Sequence, residues 1–292
     1  MGLVHHLLYP KCMDDAQYHF ETLLEFVRRE DIETFDCCIP FEEPFKQKAI
    51  EAVKESGKEV VYSMHIFPLD KISLGSSSSR EQNLVRLYLN DQIAVAAAIG
   101  AKGFVFSSGA DVPEPERKFA RENFSRLCKW LCHELAKHGI MALLEPFDRD
   151  FDKKFLYGPT AECMELLASL EAEAGNFGIE LDIAHLPLMG ESFEKAVSTV
   201  KSKLKRMHIG NCVMKERTSK WYGDTHPPVG FPGGEIDIPE LTDVLRLLLN
   251  NGYLDKRRRG ALVLEMQSFP GRTVEETISD SMRRLEEAWR LT

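Results

Sequence analysis

The stretch RKFARENFSRLCKWLCHELAKHGIMALLEPF, residues 117–147, sets out the unit from which the chain is built. Apolar residues recur at helical spacing along its first two thirds. Lys137 and His138 then fall where cations meet the negative end of a helix, and Gly139 follows, the residue that most readily closes a helix in a left-handed turn. Directly after it, a short unbroken apolar run, Met141 to Leu144, ends in Glu145 and Pro146. Strands buried on both faces read as such runs, so this is a helix feeding a buried parallel strand.

The same alternation extends from end to end. Strand-like runs lie at 3–9, 32–39, 59–67, 103–108, 140–147, 177–185, 204–212 and 261–267. Long helical patterns separate them, such as EQNLVRLYLNDQIAVAAAIGAK at 81–102 with its closing Gly100. Thr273 and Glu276 form a capping-box pattern at the start of the last helix. Eight strand–helix repeats without a Pro/Ser-rich linker predict one domain over residues 1–292, a single closed (β/α)8 TIM barrel. A doubly wound open sheet would carry a Gly-rich phosphate loop after an early strand, and none is present. The low-complexity stretch SLGSSSSRE at 73–81 reads either as a flexible surface loop or as a lid beside the barrel mouth.

Composition narrows the function classes. The 292 residues are 43% hydrophobic and 28% charged, with 37 basic and 46 acidic side chains and a net charge of −9. That balance opposes general affinity for nucleic acid phosphates or anionic membranes. No apolar run approaches the ~20 residues that span a bilayer. The opening MGLVHHLLYPKC lacks the basic head and cleavage site of a signal peptide, and His6 stands where a myristoylation signal needs Ser or Thr. Cys12, Cys37, Cys38, Cys128, Cys132, Cys163 and Cys212 read as reduced and mostly buried, which makes the cytoplasm the expected location. The sequence leaves homo-oligomerisation open.

Four of the later strand-like runs end alike: MALLE at Glu145, GIELD at Asp182, KRMH at His208 and ALVLE at Glu265. Their separations of 37, 26 and 57 residues suit successive strand–helix units of about 30 residues, the last stretched by a long loop. Chemistry in such barrels gathers at the C-terminal strand ends. A carboxylate there is costly unless paired or bound to a cation, and two Glu, one Asp and one His form a hard-to-borderline donor set. Each residue alone has a plain reading as an ion pair or a hydrogen-bonded core histidine. Together they are the expected ligands of one divalent ion: Mn, Co, Mg or Zn.

The chain resembles the xylose-isomerase-like TIM-barrel superfamily of sugar epimerases, hydroxypyruvate isomerases, inosose dehydratases and type-IV AP endonucleases. The likeness is clearest in QIAVAAAIGAKGFVF, HELAKHGIMALLEPF, GIELDIAHLPLMGE, KRMHIGN, PGGEIDIPEL and LVLEMQS. It implies that Glu145, Asp182, His208 and Glu265 bind one divalent metal and that His185 lies beside the substrate. From the ketose epimerases it further implies that Glu145 and Glu265 are both ligands and the catalytic acid/base pair. One would remove a proton from a carbon next to a metal-held carbonyl and hydroxyl pair, and the other would return it.

The chain departs from the epimerase pattern in NCVMKERTSKWYGDTHPPVGFPGGEID, a longer loop after His208. Where epimerases have a substrate-binding Arg, only Lys215 and Arg217 are available. The loop also carries Asp224-Thr225-His226, similar to a metal-ligand pair of the AP endonucleases. His65 falls where those enzymes have another ligand, but Ser107 and Ser108 stand where they have a His. His65, Arg217 and His226 are therefore candidate substrate-binding residues beside His185. Trp221, Tyr222 and Phe231 either wall the site or pack at the surface, and the basic cluster at 256–259 reads as a solvated patch away from the mouth.

The leading expectation is a metal-dependent isomerase or epimerase of carbohydrate metabolism, manganese being one suitable metal, acting on a small sugar or hydroxy-keto substrate. A dehydratase or lyase on a polyol-like or glycoside substrate comes second. A zinc-dependent phosphodiesterase of abasic DNA is third, opposed by the acidic charge, and a barrel kept only as a binding subunit is last.

Overall fold

In a computed structural model the apolar runs become the staves of a closed parallel barrel, paired in the order β1 to β8 with β1 returning to β8. Residues 1–64 and 73–292 are described. The strands are β1 (Gly2–Val4), β2 (Thr34–Cys37), β3 (Glu59–Ser63), β4 (Gly103–Phe106), β5 (Met141–Leu144), β6 (Phe177–Asp182), β7 (Leu204–Ile209) and β8 (Leu262–Leu264). The helices are α1 (His5–Leu8), α2 (Ala16–Val27), α3 (Phe45–Glu55), α4 (Ser79–Ala98), α5 (Glu114–Ala136), α6 (Thr160–Leu170), α7 (His185–Met189), α8 (Phe193–Val200), α9 (Ile238–Asn250) and α10 (Val274–Arg290), with a 3-10 turn at Pro10–Met13.

All eight strand-like runs contain a strand, and the expected stops hold. Gly100 and Gly139 adopt positive φ after α4 and α5, and Thr273 and Glu276 cap α10 reciprocally. The first run is the correction. LVHHLLY (3–9) is not one strand: only Gly2–Val4 is extended, and His5 begins α1. A short apolar run suits either state, and the helical turn buries His5 and Leu8 together on one face. The Ser-rich stretch is irregular loop over 73–78, and Ser79–Glu81 forms the first turn of α4. Ser78 caps α4, and the Asn123 side chain of α5 donates to the Gly75 and Ser76 carbonyls.

Side chains on alternate strand positions point into the barrel. Val61, Val105 and Leu143 form a separate apolar cluster there. On β6 and β7 the cross-strand register pairs Glu180 with Arg206 and Asp182 with His208, two successive inward layers. Arg206 forks onto Asp36 of β2 through Nε at 2.9 Å and Nη2, and Nη2 also donates to Thr34 Oγ1 at 3.0 Å. Both charges are buried, so removing one partner would cost roughly 3–5 kcal/mol. This ionic layer is the floor beneath the strand ends. Among the described residues, no helix is long and apolar enough to cross a membrane.

Candidate metal centre

Strand geometry brings the four expected ligands to one place. Asp182 ends β6, His208 lies in β7, and Glu145 and Glu265 directly follow β5 and β8, so all four sit at the C-terminal rim of adjacent staves. One donor atom from each lies within 4.8 Å of all the others. An ion about 2.1 Å from each donor would set opposite ligands ~4.2 Å apart, so only a slight contraction is needed. The set opens on a cavity of about 340 Å³ lined among others by His6, Ser107, Glu145, Lys153, His208, Asp224, His226, Glu265 and Gln267.

Each expected ligand is held by its surroundings. Asp182 Oδ1 accepts from the Ala184 and Gly210 amides at 2.8 and 3.0 Å. Its Oδ2 is buried without a hydrogen-bond partner, the state expected of an oxygen reserved for a cation. Gly210 is required at its position, because a Cβ there would stand 2.6 Å from Asp182 Oδ2. His208 places Nδ1 at 2.7 Å from Glu265 Oε2 and Nε2 at 3.1 Å from Asp36 Oδ2. Glu180 Oε1 also approaches Nδ1, at 3.3 Å, but neither Glu180 oxygen makes a hydrogen bond. The observed donors, two carboxylate rims, one orphaned carboxylate oxygen and one oriented imidazole, fit a divalent cation.

The charges agree with that fit. Burial pushes the Glu180 carboxyl well above the usual carboxylate range. Burial likewise raises Asp182, to about 6, although His185 and His226 oppose it. For His208, burial alone would favour the neutral ring, but Glu180, Glu265 and Asp36 outweigh it and hold its pKa well above the imidazole norm. Excess carboxylate therefore holds a proton on His208 that an incoming cation would displace.

The long loop supplies a second layer. Asn211 is fully buried and fastens both ends of it, donating to the Pro228 and Ile236 carbonyls and accepting from the Cys212, Glu235 and Ile236 amides. His226 stands at φ 50°, an uncommon conformation for a side-chain-bearing residue. Its Nε2 is 3.0 Å from Asp224 Oδ1 and its Nδ1 3.5 Å from Asp182 Oδ2. Asp224 is shared with His185 Nδ1 at 3.3 Å and with Lys153 Nζ at 3.3 Å. Burial notwithstanding, the charges of His185 and His226 keep the Asp224 carboxyl well below the usual range. Asp182, His185 and His226 themselves gather donor atoms within 4.8 Å.

Of the candidate substrate contacts, only His226 lines the cavity in the described structure. His185 is 1% exposed and sits behind Glu145, with Nε2 2.9 Å from Glu145 Oε1 and its ring centroid 4.2 Å from that of Phe147. Arg217 is exposed on the long loop and is not among the cavity's lining residues. His65 lies outside the described residues. Trp221 packs on Phe231, Phe231 on Phe269, and Tyr222 on Phe151, so these rings brace the loop rather than wall the cavity. Asp36, Glu180, Lys153 and Arg206 escaped the sequence reading. The signal for two of them was present, since Glu180 and Arg206 lie two residues before Asp182 and His208 and so share their inward face.

The family described as xylose isomerase-like TIM barrel matches residues 24–288. No curated protein sequence matches the chain. Among solved structures, a D-psicose 3-epimerase from Clostridium cellulolyticum H10 with D-tagatose is similar, with a TM-score of 0.68 at 15% identity over 99% of this chain and 96% of that one. The 3-keto-D-glucoside 4-epimerase of E. coli gives 0.68 at 16% identity, covering 98% of each chain. An AP endonuclease, family 2, from Brucella melitensis gives 0.67 at 16% identity, covering 97% of this chain and 98% of that one. At these identities the likeness is one of fold.

Proposed function

The chain belongs to the xylose isomerase-like TIM-barrel family, and we propose that it is a divalent-metal-dependent isomerase or epimerase of a small sugar or hydroxy-keto substrate. The observation that carries this reading is the convergence of Glu145 and Glu265, just past β5 and β8, on one centre with Asp182 and His208, three of the four lining the cavity. Glu145, Asp182, His208 and Glu265 would hold the ion, with Mn, Co, Mg and Zn all compatible with the donors. Such an ion would polarise the substrate's carbonyl and hydroxyl oxygens and make the adjoining C–H acidic.

The chain's own residues do the rest. Glu145 and Glu265 stand on the cavity wall, where one takes the proton from the carbon and the other returns it. His185 acts through Glu145, orienting its Oε1 and backed in turn by Asp224. Lys153 and His226 present polar atoms to the same space and would hold substrate oxygens. The closed barrel floor excludes water from below. The seven free buried thiols fit a reducing compartment, which we take to be the cytoplasm.

One observation favours a second reading. His226, bonded to Asp224 on the cavity wall, is placed to give a proton to a leaving oxygen, which would turn the same deprotonation into an elimination. An unsaturated product absorbing in the ultraviolet would identify that lyase. The proposal as a whole is tested by metal analysis of protein prepared without chelator, alongside Glu145→Ala and Glu265→Gln. Wild type should retain about one equivalent more metal than Glu145→Ala, with Glu265→Gln in between; equal content in all three would reject the ligand set.

A further inference from the structure

A second group of ligand-type side chains lies in the N-terminal segment and shares no residue with the centre above. His5 of α1, Cys12 of the 3-10 turn and His19 of α2 offer donor atoms within 4.8 Å of one another, and all three are at most 3% exposed. Cys38, just past β2, is also buried and places Sγ 3.9 Å from His19 Nε2. Two imidazoles and two thiols are the donor set of structural zinc sites.

The hydrogen bonds leave ring lone pairs unused. Thr22 Oγ1 has one hydrogen to share among the Tyr18 carbonyl at 2.9 Å, the His19 carbonyl at 3.2 Å and His5 Nε2 at 3.0 Å. His5 Nδ1 is buried without a hydrogen-bond partner and is free to offer a lone pair. His19 Nε2 meets one acceptor, the Cys38 carbonyl at 3.1 Å. A neutral ring has one N–H, and with it on Nε2 toward that carbonyl the other nitrogen carries the lone pair. Both rings are neutral, since burial lowers the pKa of His5 and brings that of His19 to about 4. Neutral imidazole is the form that binds metal. The two ring centroids are 5.3 Å apart, close to the roughly 5 Å spanned by two imidazoles on one tetrahedral ion; the rings are stacked at 12°, so at least one must turn to bring both in-plane lone pairs onto one ion.

We propose that His5, Cys12 and His19, completed by Cys38, form a second metal site that takes a zinc-type ion. Binding would release the Cys12 and Cys38 thiol protons, and two thiolates would neutralise the dication, which a buried site requires. The site would staple α1, the 3-10 turn and α2 to the end of β2. No carbon chemistry is assigned to it.

The catalytic ligand set contains no sulfur, so cobalt distinguishes the two sites. Full-length protein stripped of metal and titrated with Co(II) alone should bind two equivalents, one of them raising a thiolate-to-cobalt charge-transfer band in the near ultraviolet. Cys12→Ser and His19→Gln should each lose that band and one equivalent, whereas Glu265→Gln should keep the band. Absence of the band in wild type at two equivalents of Co(II), or its persistence in Cys12→Ser, would overturn the proposal. Should Cys12→Ser fail to fold, X-ray absorption of the cobalt-loaded wild type decides. A cobalt–sulfur shell supports the site, and a shell of nitrogen and oxygen alone rejects it.

Discussion

His208 Nε2 lies 3.1 Å from Asp36 Oδ2, on the ring edge opposite the Glu265 contact at Nδ1. A carboxylate can only accept, so Asp36 holds the Nε2 proton and leaves the Nδ1 proton, which faces Glu265, as the one an incoming cation would displace. The same carboxylate carries Arg206. Asp36→Asn should therefore weaken metal binding by about 10- to 100-fold. It should also destabilise the fold by roughly 3–5 kcal/mol, because Arg206 loses its charge partner. Calorimetric metal titration and denaturant unfolding read the two effects separately, and unchanged metal affinity would remove Asp36 from the site.

Gly210→Ala tests the placement of Asp182. The added methyl would meet both carboxylate oxygens, at 2.6 and 2.7 Å, and the Asp182 side chain must move. Metal content should fall at least as far as in Asp182→Asn, while the far-ultraviolet dichroism of the barrel is kept. Full metal occupancy in Gly210→Ala would contradict the assignment of Asp182 as a ligand.

The long loop depends on one side chain. Asn211→Ala removes five hydrogen bonds to buried backbone groups and should cost about 2–4 kcal/mol. It should also loosen the loop that carries Asp224 and His226. Hydrogen exchange at 212–236 should accelerate well before exchange in β5 to β8. Uniform acceleration across the barrel would show that Asn211 matters to the whole fold rather than to the loop.

A pH dependence follows from the N-terminal histidines in metal-free protein. Burial lowers His19 from 6.5 to about 4, so between these values the unfolded chain binds a proton that the folded chain refuses. Stability from this group is thus lost as pH falls from about 6.5 to about 4, by on the order of 3 kcal/mol. Asp182, raised to about 6, titrates nearby with the opposite sign. The stability difference between wild type and His19→Gln cancels that contribution, and it should shift against the wild type by the stated amount over this window. A difference independent of pH would show that His19 is not buried as a neutral ring.

How far the sequence carried depended on how local each signal was. Glu145, Asp182, His208 and Glu265 announced themselves because each closes an apolar run, and the run makes both the strand and its direction. Gly100, Gly139 and the Thr273–Glu276 cap were equally local. Asp36 was not legible as the partner of His208, since the two are joined only when β1 and β8 close the barrel. The turn at His5 was hidden because LVHHLLY suits a strand or a short helix, and the choice is made by what His5 and Leu8 bury. His185 read as a residue facing substrate. Its neighbours in the structure, Glu145 and Asp224, come from other strand ends and loops, and they hold it against Glu145 rather than on the cavity lining.

In the proposed reaction Glu145 and Glu265 transfer a proton at a substrate carbon around a bound metal. Solvent deuterium incorporation into a panel of ketoses and hydroxy-keto acids, measured for metal-loaded wild type and Glu265→Gln, tests it most directly. Deuterium should appear at one carbon of an accepted substrate, with a loss of about 10²- to 10⁴-fold in Glu265→Gln with metal still bound. Near-normal exchange or turnover by metal-loaded Glu265→Gln would contradict it.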